Sequence, residues 1–152
     1  IEHIPRWIFS SLSQHFLSQK RNYSMYVEGF DKISQDEDSF EFRQDDPDIL
    51  TINKKYHKVV VDVNILVRSM KDQQDDHKHA KMIGIMLKAF VASLPVYKFG
   101  DGADDDENTV AFCLTRQDTI RTVNFGLVQA TNNIIHSTVE SGYVGIITEE
   151  LT

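Results

Sequence analysis

Hydrophobic positions at helical spacing open the chain. Ile8, Phe9, Leu12 and Phe16 fall at i, i+1, i+4 and i+8, one stripe of a 3.6-residue helix. Ser10, Ser13, Gln14 and Lys20 take much of the other side. Pro5 suits a first helical position, where its missing N–H costs nothing, so a helix is predicted from about Pro5 to Leu17. Ser24–Glu28 reads as a short strand closed by Gly29. The strongest signal is Tyr56–Arg68. Val59, Val61, Val63, Ile65 and Val67 share one parity, and Lys58, Asp62, Asn64 and Arg68 share the other. Such alternation predicts a long strand with one buried and one polar face, in an antiparallel sheet covered on one side.

Asp75 and Asp76 are placed to cap a second helix, since carboxylates satisfy first-turn N–H groups. Ala80, Ile83, Leu87, Phe90 and Val91 then recur at helical spacing, with Lys78, Lys81 and Lys88 outside that stripe. Gly84 interrupts this helix at a cost of about 1 kcal/mol against Ala, which suggests close packing on the sheet. Pro95 is expected to end the helical region and open a strand over Val96–Phe99. Three further strands follow: Val110–Leu114, Val123–Leu127 and Ile135–Ile147, the last with Ile135, Val139, Tyr143 and Ile147 on one parity. Ala130-Thr131-Asn132-Asn133 suits a hairpin turn, and Gly142 and Gly145 suggest a bend or bulge in the final strand. Without repeats or a Pro-rich linker, residues 1–152 read as a single domain. The expected class is α+β, a mainly antiparallel sheet with two amphipathic helices packed on one face, and long loops.

Composition narrows the function. A chain of 152 residues can bury a core without staples. One cysteine, Cys113, excludes an intramolecular disulfide and a Cys-based zinc site, and reads as a small structural residue. No apolar run reaches the roughly 18–20 residues of a membrane span. Ile1–Trp7 lacks the order of a secretory signal, so a soluble domain of cytosolic type is expected.

The net charge of −7 is unevenly placed. Glu28–Asp48 holds nine acids against Lys32 and Arg43, and Asp101–Glu107 holds five acids and no base. The remainder carries a net +5, so two acidic loops, about 29–48 and 100–108, sit on a mildly basic body, the first with a short strand near Phe40–Arg43. Candidate contact residues are Asp36, Glu37, Asp38, Asp45 and Asp46 in the first loop and Asp104, Asp105, Asp106 and Glu107 in the second. Phe40 and Phe42, which flank Glu41, are either exposed partner anchors or part of a loop folded back on its own sheet.

Motifs for chemistry are sparse. Asp75-Asp76-His77-Lys78-His79 looks like a metal cluster, yet on a helix His77 and His79 diverge, and an exposed helix start explains them more simply. Asp101–Glu107 does not match the ligand spacing of an EF-hand loop. His136 and Glu140 share a strand face and read as a polar contact across the sheet. Nucleophile-elbow, P-loop, dinucleotide and zincin motifs are absent. Neither an enzyme nor a cofactor or metal is expected.

The order of elements resembles the tail-terminator family of tailed bacteriophages and the related neck and tail-completion proteins. The Pro5–Leu17 helix, Tyr56–Arg68, the His77–Val91 helix and the hairpin-like Arg121–Ile147 region carry the likeness, with the opening Ile4-Pro5-Arg6-Trp7-Ile8. What the resemblance implies is a virion protein without catalytic residues, in a ring usually of six subunits that joins the tail tube to the head connector. Its partners would be itself and neighbouring tube and neck proteins, with DNA only as passing cargo and no membrane. It would assemble in the host cytoplasm, and the acidic loops would face the lumen or the next subunit. The alternatives are another neck or tail role (stopper, adaptor or tube) or a monomeric acidic module that imitates nucleic-acid charge.

Overall fold

The computed structural model describes residues 2–28, 37–70, 77–98, 112–117, 119–128 and 134–149, with backbone alone for 112–113 and 124–128. Two helices, α1 (Ile4–Gln19) and α2 (Lys78–Ala89), accompany eight strands. These are β1 (Ser24–Val27), β2 (Ser39–Gln44), β3 (Asp48–Thr51), β4 (Tyr56–Met70), β5 (Ser93–Val96), β6 (Phe112–Arg116), β7 (Arg121–Val128) and β8 (Ile134–Thr148).

The sheet is built on β4 and β8, each 15 residues long and antiparallel over their whole length from Tyr56↔Thr148 to Met70↔Ile134. Each long strand has an outer neighbour in two pieces. Along β4 run β2 and then β3, and along β8 run β6 and then β7. The short strands β1, parallel to β2, and β5, antiparallel to β6, extend two opposite corners. A mainly antiparallel α+β fold is the result.

Directly paired residues share a face, so the register sorts the whole sheet. The inner face carries Val59, Val61, Val63, Ile65 and Val67, joined by Phe40, Phe42, Leu114, Val139, Tyr143 and Ile147, all essentially inaccessible. The helices pack on this face, α1 through Ile4, Trp7, Ile8, Leu12 and Phe16, and α2 through Met82, Met86 and Ala89. Rings knit the layers: Phe16 lies 4.8 Å from Phe90 and 5.7 Å from Phe42, and Phe90 stacks on Tyr143. Polar pins add direction. His15 Nε2 donates to the Ala89 carbonyl (2.7 Å), Tyr143 donates to Val91 (2.9 Å), and buried His57 Nε2 donates to Glu149 (2.8 Å) while Thr51 donates to its Nδ1.

Four local expectations are corrected. Phe40 and Phe42 are not exposed anchors: they lie in β2 opposite Val67 and Ile65, fully buried, because Ser39–Arg43 alternates at period two and turns its even positions to the core. Gly84 is not a close-packing point, since a Cβ there would meet no atom within 4 Å. Pro95 lies inside β5 instead of opening a strand after it. The edge position tolerates Pro, and Ser11 of α1 holds the chain just past β5 by accepting the Tyr97 N–H (2.8 Å). No bulge occurs in β8 against β4 at Gly142 or Gly145; the register shift falls in β7, between Asn124 and Leu127. Gly142 instead sits where the second partner of β8 changes from β7 to β6, and its carbonyl accepts the Gln117 N–H (2.8 Å). Asp75, Asp76, Phe99, Val110 and the Ala130–Asn133 turn lie outside the described residues.

Candidate interaction face

The outer face of the sheet is the opposite parity of the same strands. Among the described residues neither helix lies over it. Its three zones follow from the register.

At one end a row crosses three strands, Ser39 (β2), Arg68 (β4) and His136 (β8). One step along, Glu41 stands opposite Leu66, and Arg43 opposite Asn64. The Glu41 side chain is only 2% exposed. Its Oε2 accepts from Arg43 Nε at 2.6 Å and Nη2 at 2.5 Å, and from Arg68 Nη2 at 3.5 Å. Two guanidiniums therefore share one carboxylate oxygen, which leaves the group net positive. Burial is the main force lowering the Arg68 pKa; Glu41 opposes it and Arg43 adds to it. His136 is likewise held below its usual pKa, first by burial and then by Arg68 and Arg43, so the neutral ring is favoured. Ser39 Oγ, Arg68 Nη1 and His136 Nε2 are all buried without a hydrogen-bond partner. Buried polar groups normally find partners because an unpaired one costs about 1–3 kcal/mol. This row has unused bonding capacity.

Midway, a cleft of about 580 Å³ is lined by Asp45, Asp62, Asn64, Thr119, Arg121 and Glu140 among others. Arg121 donates to Glu140 across the β7–β8 pair. At the far end the face turns apolar: Leu50 and Ile146 flank Lys58 in one row and are 65% and 47% exposed.

The acids singled out from the sequence separate by environment. Glu37 accepts from Ser24 and Tyr26 of β1, so it braces that strand. Asp38 accepts the Met70 N–H (2.7 Å) and pairs with Lys78 (3.2 Å), tying β4 to α2. Asp45 and Asp46 are exposed on the connection from β2 to β3. Asp36, Asp104, Asp105, Asp106 and Glu107 lie outside the described residues. Ser39–Gln44 of the supposed first acidic loop is thus strand β2, and Glu37, Asp38 and Glu41 are engaged internally.

The histidines also part company. His79 points inward and is clamped between Ser69 Oγ and Ser137 Oγ, each at 2.7 Å, whereas His77 is the exposed N-terminal boundary of α2. Burial lowers the His79 pKa, with His136 adding to that and Asp38 opposing it. No group of three or more metal-ligating side chains converges among the described residues. The Ser39–Arg68–His136 row was missed from sequence because it exists only through register, and Glu41 was counted with the solvated acids. No family model matches the chain, and no curated protein matches it. No helix among the described residues is long and apolar enough to cross a membrane.

Proposed function

We propose that the chain is a structural subunit that assembles with copies of itself, a virion neck or tail component of the tail-terminator kind. The observation that carries the reading is the outer face of two 15-residue strands, over which neither helix lies among the described residues. It joins a buried, positively biased polar row to a cleft and an exposed apolar end. Leu50 with Ile146, at the end remote from that row, suits apolar burial against a neighbour. Ring assembly needs surfaces that meet head to tail, and long strands with projecting connections supply them. In that setting the ring joins tube to connector and DNA passes through it.

The charge-mimic alternative needs free acids, and three of the acids that suggested it, Glu37, Asp38 and Glu41, serve internal partners. Light scattering on the purified chain tests the proposal. Wild type is expected to give a multiple of the monomer mass, and Leu50→Lys with Ile146→Lys is expected to give the monomer. A monomeric wild type would overturn the reading.

A further inference from the structure

A second surface lies on the helix side. The turn after α1 and one stripe of α2 enclose a cleft of about 360 Å³ lined by Arg21, Asn22, Tyr23, Lys81, Gly84, Ile85 and Lys88. It holds three cations and no carboxylate, and no described acid pairs with Arg21, Lys81 or Lys88. Lys81, Gly84, Ile85 and Lys88 fall at i, i+3, i+4 and i+7, so they form one stripe of the helix, with Lys81 and Lys88 exposed and Ile85 packed against the core.

One local cost lies at this cleft. Gly84 stands mid-helix, where Ala would hold the helix better, and among the described residues no atom comes close enough to need a glycine there. Arg21, the residue after the C-cap of α1, takes the left-handed backbone (φ 56°) that commonly ends a helix, and this turns the chain into the cleft wall. Contacts among the described residues do not account for the glycine. A notch kept open by Gly84 and rimmed by cations is shaped for something outside the chain.

We infer that this basic notch receives the acidic connection Asp45–Asp48 of a second copy of the chain. Resting on the self-assembly reading, it deepens that reading by naming the contact. Charge complementarity argues for the occupant. Asp45, Asp46 and Asp48 are exposed, none has a described ion pair, and Pro47 between them restricts the backbone. The location argues for the geometry. Asp45 lines the cleft on the outer face of the sheet, while the notch belongs to the helix layer on the inner face. A contact between opposite sides of the molecule is heterologous, so it propagates head to tail and closes into a ring when the rotation allows. A side chain from the incoming connection enters at Gly84, with its carboxylates between Lys81, Lys88 and Arg21.

Mixing ¹⁴N- and ¹⁵N-labelled wild-type chains and treating them with a carbodiimide tests the contact directly, since the reagent joins an amine to a carboxylate that touches it. The expected products are mixed-isotope peptides linking Lys81 or Lys88 to Asp45, Asp46 or Asp48. Gly84→Ala, which narrows the floor of the notch, and Lys81→Glu with Lys88→Glu are expected to weaken association, the lysine pair by about tenfold or more, with unchanged circular dichroism. Adding Asp45→Lys and Asp46→Lys to the lysine variant is expected to restore it. Oligomers whose cross-links avoid Lys81 and Lys88 would overturn the notch while leaving self-assembly standing, and no association at all would remove both. Binding of a DNA duplex that the lysine variant abolishes would assign the notch to a polyanion instead and also overturn the proposal.

Discussion

Replacing Glu41 with Gln tests whether the outer row is a low-dielectric cluster or ordinary surface charge. The substitution keeps the shape and removes the anion that Arg43 and Arg68 share. Arg43 is 39% exposed, so solvent screens much of its loss, whereas Arg68 is 11% exposed and is left with an uncompensated charge. Breaking a buried pair from one side costs about 3–5 kcal/mol, and with Arg43 discounted the low end, about 3 kcal/mol, is expected. Urea unfolding followed by fluorescence of Trp7, the single tryptophan and a buried one, measures it by linear extrapolation. A control separates charge from packing. Glu41→Leu with Arg68→Leu removes both charges beside Leu66 and is expected within about 1–2 kcal/mol of wild type, because apolar replacement of a whole buried pair is often neutral. A loss below about 0.5 kcal/mol for Glu41→Gln would refute the reasoning, since that is the scale of an exposed pair.

Gly84→Ala is expected to stabilise the fold by about 0.5–1 kcal/mol, a rise of about 1–4 °C in melting temperature, because its Cβ meets open space; a lower melting temperature would contradict this. His79 and His136 both have folded pKa values below the ordinary 6.5, so below that pH the unfolded chain binds more protons and stability falls as pH drops towards the folded values. Urea midpoints measured downwards from neutral pH should show that slope, and His79→Gln should flatten it; a flat wild-type profile would count against the buried neutral rings. Burial raises the Tyr143 pKa to about 12, so the ultraviolet titration should contain a step near that pH that Tyr143→Phe removes. A Tyr143→Phe titration that keeps the same late step would contradict it.

How far the sequence could be read depends on where burial is one-sided. The parity of β4 is legible because one face is apolar from Val59 to Val67 and the other largely polar, and α1 because its stripe faces the sheet throughout. In β2 the alternation of Ser-Phe-Glu-Phe-Arg points to the short strand near Phe40–Arg43, which the structure extends to Ser39–Gln44, but the density of acids around it reads as solvated loop. Glu41 joins that strand only because Arg43 and Arg68 stand beside it, and Arg68 is 27 residues away in sequence. The division of β8 between β6 and β7 leaves no local signal beyond Gly142. Ser39, Arg68 and His136 form a row through pairing alone, and no spacing within any one segment brings them together. Gly84 was visible as an anomaly, though its reason lay in the space around it.

The central claim is that this chain builds an assembly from copies of itself through opposed faces. Native mass spectrometry of the wild-type protein over a broad concentration series tests it most directly. A head-to-tail contact that closes predicts one discrete multiple of the 17.5 kDa chain, growing with concentration at the expense of the monomer. A monomer at every concentration would contradict the claim.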